Sequence, residues 1–106
     1  MRFCLEELAV STQSFTDFEA VSRSQGFDEV LERVWAPSAQ TGTHTHPFSV
    51  AALVTRGEMW LTVGDDVRHL CAGDRFTLDR NIPHAERYGA DGAVLWVARR
   101  GDARRP

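Results

Sequence analysis

Residues 41–50 read TGTHTHPFSV, with two of the chain's four histidines set two apart before an apolar run. Strand side chains alternate, so on a strand His44 and His46 would present both imidazoles to one face. Such a pair can offer two nitrogen donors to one metal ion, and an ordinary surface strand can carry the same pair. The flanking sequence decides the fold around it. Upstream, DEVLERVWAP (28–37) is β-compatible and ends at Pro37. Downstream come FSVAALVTRG (48–57), EMWLTVGDD (58–66), VRHLCAGD (67–74), RFTLDRNIPH (75–84), HAERYGADG (84–92) and AVLWVARR (93–100). Short apolar segments punctuated every 8–12 residues by Gly, Asp and Asn turns predict an all-β sandwich or barrel. The reading is a small β-barrel. Helix signal is confined to FTDFEAVSRSQG (15–26), where Thr16 is the expected N-cap, Glu19 completes a capping box and Gly26 closes the end.

At 106 residues the chain is expected to form a single domain, 1–106, with one core. Its 42% hydrophobic and 25% charged residues are those of a globular protein. No apolar run approaches the roughly 18 residues a membrane span needs. The start, MRFCLEELAV, has acidic residues where an export signal would be apolar, which makes a cytoplasmic location the default expectation. A net charge of −3 argues against nucleic-acid binding. The arginines of ARRGDARRP (98–106) read as a solvated terminus. All twelve basic residues are arginine, which removes lysine Schiff-base and lysine general-base chemistry. There is no GxxxxGK loop and no GxSxG elbow, so phosphate-cradling and serine-hydrolase readings fall away. Cys4 and Cys71 stand far apart, forming neither a disulfide framework nor a CxxC knuckle, and are expected as reduced, partly buried thiols.

A third histidine, His84 in NIPHAERYG, gives the spacing its meaning. The chain resembles the cupin superfamily, whose motifs are G(x)5HxH(x)3-4E(x)6G and G(x)5PxG(x)2H(x)3N. The first aligns Ser38, His44, His46, Val50 and Gly57. The second aligns Gly73, Asp79, Asn81, His84 and Tyr88. Fifteen residues separate Gly57 from Gly73, as in small bacterial cupins. The likeness covers residues 38–97 and implies a double-stranded β-helix, or jelly roll, with a short N-terminal helix. Several positions depart from the pattern. The motif glutamate is Val50, two motif glycines are Ser38 and Asn81, the proline is Asp79 and the asparagine is Tyr88. Asn81 is a mild change, because asparagine tolerates the left-handed conformation.

The resemblance implies that His44, His46 and His84 hold one divalent metal ion, with Fe, Mn, Ni and Zn as candidates. Three neutral imidazoles would leave the ion near +2, which favours an anionic small-molecule ligand. Glu86 shares strand parity with His84. It would supply the missing carboxylate as a fourth ligand or acid/base group, or else pair with Arg87 or Arg80 at the barrel mouth. Tyr88, of the same parity, either donates its hydroxyl into the cavity or packs. Phe48 and Val50 are expected to border the pocket. Trp35, Trp60, Phe76 and Trp96 read as core, and His69, which fits no motif, as an exposed strand residue.

Two functions follow. One is a mononuclear-metal enzyme of the dioxygenase, decarboxylase or isomerase class, with Glu86 and Tyr88 as proton-transfer groups. The other is a small-ligand-binding or sensor barrel without turnover. A structural metal site is disfavoured, since such sites close with four ligands, usually including cysteine. Small cupins are commonly homodimers, and FDEVLERVW (27–35) could pair edge to edge.

Overall fold

The computed structural model describes residues 14–101. One helix, α1 (Phe15–Ser24), precedes five strands: β1 (Glu29–Trp35), β2 (Ser49–Val63), β3 (Asp66–Cys71), β4 (Arg75–Leu78) and β5 (Ala85–Arg100). All pairings are antiparallel, in the order β1-β5-β2-β3, with β4 also paired to β2. The fold is the all-β jelly roll expected, with one short helix.

Where the sequence suggested short separate strands, the structure has two long bent ones. FSVAALVTRG and EMWLTVGDD are both part of β2, and HAERYGADG and AVLWVARR are both part of β5. The turn residues between them mark irregularities in a continuing ladder. Gly57 pairs with Ala93 and Met59 with Tyr88, so Glu58 alone faces the segment from Gly89 to Gly92. Such bulges bend a strand without ending it. Each long strand therefore serves two layers. The first halves of β2 and the last residues of β5 pair with β4 and β1 respectively, while the second half of β2 pairs with β3 and the start of β5.

Alternation sorts the side chains. Val50, Ala52, Val54, Met59, Leu61, Phe76, Leu95 and Val97 fill the barrel interior. Leu53 and Ala98, of opposite parity, point outward and are covered by Phe18 of α1, with Trp96 against them. Phe15 and Phe18 meet the Trp96 ring at 5.6 and 5.8 Å.

The helix begins two residues earlier than expected. Ser14, not Thr16, is the N-cap: its Oγ accepts from Asp17 N at 3.0 Å, and Asp17 returns the bond to Ser14 N. Glu19 instead forms an i,i+4 ion pair with Arg23 at 3.0 Å. Gly26 follows the helix at φ 97°, as read. Replacing Ser14 with alanine should cost about 1 kcal/mol, measured as a lower urea midpoint with unchanged slope.

Two further expectations are corrected. Cys71 is disulfide-bonded and 2% exposed, rather than a reduced thiol. Separation in sequence does not prevent pairing once a barrel brings distant segments together. Cys4 lies outside the described residues. His69 is half-buried rather than exposed: it bonds Glu58 at 2.7 Å and stacks on Trp60 at 4.7 Å, whose ring also carries the Arg87 guanidinium at 4.0 Å. No helix among the described residues is long and apolar enough to cross a membrane.

Candidate metal centre

The segment carrying His44 and His46 is not a strand. Gly42 and Pro47 flank it, and proline cannot donate to a ladder. The loop is tied down instead by one antiparallel bridge, in which His44 and His84 exchange N–H···O bonds of 2.9 Å each way. Asn81 N donates to His46 O at 2.7 Å. Asn81 and Ser38, the residues standing at motif-glycine positions, both keep positive φ, at 65° and 59°. The left-handed backbone has thus survived the loss of both glycines.

This scaffold aims three imidazoles at one point. The ligand atoms of His44, His46 and His84 lie within 4.8 Å of one another. His44 Nδ1 lies 2.7 Å from Gly42 O, and His84 Nδ1 lies 2.9 Å from Ile82 O. A carbonyl only accepts, so each Nδ1 carries the proton and each Nε2 presents a lone pair. A backbone partner that fixes the tautomer in this way is the usual support of a metal-binding histidine. His46 lies against the Phe48 ring, with centroids 4.8 Å apart. Burial, then the neighbouring imidazoles of His44 and His84, hold its pKa below the ordinary 6.5. It is therefore neutral at pH 7. The unfolded chain binds that proton more readily, so acidification below 6.5 works against the folded state.

Glu86 turns its carboxylate to the same point, with Oε2 3.3 Å from His84 Nε2 and 3.9 Å from His44 Nε2. His84 is 3% exposed, and its Nε2 is buried without a hydrogen-bond partner. The short approach to Glu86 does not satisfy it. A divalent ion placed between the imidazole nitrogen and the carboxylate oxygen would satisfy both. The residues therefore fit a metal ion. Neither Arg87 nor Arg80 takes the Glu86 carboxylate: Arg87 stacks on Trp60, and Arg80 donates to Gly101 O. The other Glu86 oxygen accepts from the Tyr88 hydroxyl. Tyr88 is buried and stacks on Trp35 at 4.5 Å. Burial first, then Glu86, raise its pKa, so it stays protonated at neutral pH.

A cavity of about 140 Å³ opens in front of these groups. Phe48 and Val50 line it, with Trp35, Phe76, Leu78 and Val97 among the other walls. Trp35, Phe48 and Phe76 thus line the cavity, Trp96 packs in the apolar cluster under α1, and Trp60 lies on the outer face of β2. Two lining residues escaped the sequence reading, Arg33 and Arg99. Their signal was available: each shares inward parity with apolar neighbours, Arg33 with Leu31 and Trp35, and Arg99 with Leu95 and Val97. Thr41 was also missed, and its hydroxyl accepts from Glu86 N at 3.0 Å.

A small antiparallel jelly roll with three convergent imidazoles in its cavity defines a β-barrel protein with a candidate metal site. The chain belongs to the cupin family: the family described as Cupin domain matches residues 31–98. Solved structures share the fold. A structure described for DMSP lyases superposes with a TM-score of 0.64 at 24% identity, over 71% of this chain and 39% of that one. A cupin-like protein from Thermotoga maritima gives 0.60 at 25% identity, over 77% and 63%. An oxalate oxidase structure gives 0.60 at 22% identity, over 68% and 41%. The chain thus spans well under half the length of the lyase and oxidase structures. No curated relative shares recognisable sequence similarity with it.

Proposed function

We propose that this cupin is a mononuclear-metal enzyme of the dioxygenase, decarboxylase or isomerase class, acting on a small anionic metabolite. The observation that carries the reading is the orphaned, buried Nε2 of His84, converging with His44, His46 and the Glu86 carboxylate. His44, His46 and His84 would hold one divalent ion, Fe, Mn, Ni or Zn, and Glu86 would serve as fourth ligand or as acid/base beside it. When bound, the ion supplies Lewis-acid polarisation or oxygen activation. The protein's own residues do the rest. Tyr88, kept protonated, donates to Glu86 and fixes which carboxylate oxygen faces the imidazoles. Thr41 anchors the Glu86 backbone. Phe48 and Val50 form an apolar wall that excludes water from one side of the substrate.

One observation favours a second reading, a ligand-binding or sensor cupin without turnover. Val50 stands where the motif glutamate would be and is only 9% exposed in the wall of the cavity. The protein is proposed to work as a homodimer through β1, which among the described residues pairs only with β5 and carries the 72%-exposed Val34.

Elemental analysis of protein purified without a histidine tag or chelator tests the site. About one equivalent of iron, manganese or nickel is expected, absent from His46→Ala. Turnover of a small acid by the loaded protein would support the enzyme over the sensor. No metal above background in either protein would remove the metal site and leave a metal-free ligand-binding cupin.

A further inference from the structure

A second buried polar atom without a partner belongs to Arg99, which also lines the cavity. Arg99 is the inward-facing residue near the end of β5, paired across the sheet with Val50 on β2 and Glu29 on β1. Its guanidinium lies 4.8 Å over the ring of Phe48, the same ring that stacks against His46. Its side chain is 23% exposed, and Nη1 donates to Glu29 Oε1 at 3.3 Å, a contact made by a carboxylate that is itself 58% exposed. Nε, by contrast, is buried with no partner. That N–H lies on the other edge of the guanidinium. With Nη2, it forms the fork that takes the two oxygens of a carboxylate side by side. A buried N–H left unmade costs free energy unless something in the cavity accepts from it.

We propose that Arg99 is the specificity-determining residue of the cavity, seating the carboxylate of a small ligand on its Nε edge while the ligand's other end faces the three imidazoles. The inference rests on the proposed function for the imidazole-facing end alone. The cavity's dimensions narrow the ligand class. A volume of about 140 Å³ matches the roughly 150 Å³ that accommodates benzene, so a ligand of about six to eight heavy atoms fits. Phe48 lies under the guanidinium, and Val50 and Val97 are among the apolar walls of the same cavity. The ligand is therefore a short-chain acid with an apolar body, not a sugar or a polyanion. Arg33, the other inward arginine, is four residues along β1 from the partner of Arg99, about 13 Å away at strand spacing. Its guanidinium lies 4.6 Å over Trp35, so it serves the far end of the cavity.

The charge requirement can be tested on metal-free protein with two probes of one shape, butyrate and its uncharged amide, butyramide, by calorimetry or NMR titration. Wild type is expected to bind butyrate roughly tenfold or more tightly than butyramide. Arg99→Met should erase that preference, and Arg99→Lys, which keeps the charge but not the fork, should restore only part of it. Equal binding of the two probes to wild type, binding of neither, or an undiminished preference in Arg99→Met would each overturn the proposal. Should Arg99→Met fail to fold, the wild-type comparison and Arg99→Lys still decide it, since full preference in the lysine variant excludes the fork. Metal uptake, measured by adding the ion back to the same preparations, separates the two claims. An intact butyrate preference in a protein that takes up no metal leaves Arg99 standing and removes the metal reading; normal metal uptake without the preference does the reverse.

Discussion

Gly57→Ala should cost about 3 kcal/mol or more of the stability of this barrel, read as a fall in the urea midpoint at unchanged slope. Gly57 sits at φ 77°, where a β-carbon alone costs about 1–2 kcal/mol. The larger part is the collision. A β-carbon there would stand 2.2 Å from Gly92 O and 3.0 Å from Ala93 Cα, both backbone atoms of the paired strand. Side chains can rotate away from such a contact, but a backbone can only shift with its strand. Gly92 has no room to retreat: its own β-carbon position lies 2.4 Å from Trp35 O on β1. Three strands thus meet at the corner where β2 and β5 bend, and glycine is what lets them do so. A domain of this size holds only about 5–15 kcal/mol in total, so the variant should lose a large share of its stability while still folding at low temperature. A loss below about 1 kcal/mol would show that the corner relaxes freely and that the bend is not fixed by this contact.

That corner also explains where the sequence was legible and where it misled. Gly57 and the Gly89–Gly92 stretch carry the composition of turns, and the turns are there in the form of bulges. Sequence composition reports that the backbone bends, not whether the hydrogen-bond ladder continues past the bend. The number of strands was therefore overestimated while their locations were right. The imidazole cluster was legible because spacing in two motifs is a one-dimensional signal of a three-dimensional closure. Its mechanism was misread: His44 and His46 converge through a pinned loop and a two-way bridge to His84, not through strand alternation. Arg33 and Arg99 went unnoticed for a different reason. A charged residue at inward parity conflicts with the usual rule that interiors are apolar, and such conflicts mark sites. The inward parity of β1 and β5 is plain in the sequence once Trp35 and Val97 are known to face inward.

His84→Ala is expected to abolish metal-dependent stabilisation while leaving the metal-free protein about as stable as wild type. Removing a buried side chain ordinarily costs packing. Here it also removes a polar atom that is buried without a partner, and it takes away one of two acceptors that face each other at 3.3 Å. The two effects oppose, and the metal-free midpoint should move by no more than about 1 kcal/mol. The loaded protein behaves differently. A ligand present at a thousand times its dissociation constant adds about 4 kcal/mol to the folded state. In a domain of this size that raises the melting temperature by roughly 15 °C or more. His84→Ala should lose the whole of that rise, and any turnover with it, because two imidazoles and one carboxylate partly engaged by Tyr88 do not replace the third nitrogen. Thermal melts of both proteins with and without added metal, alongside metal content, make the distinction. A variant that melts far below metal-free wild type would mean that His84 is chiefly a packing residue. A variant that keeps the metal-induced rise would mean that the ion is held without it, and the centre would then have to be redrawn around His44, His46 and Glu86.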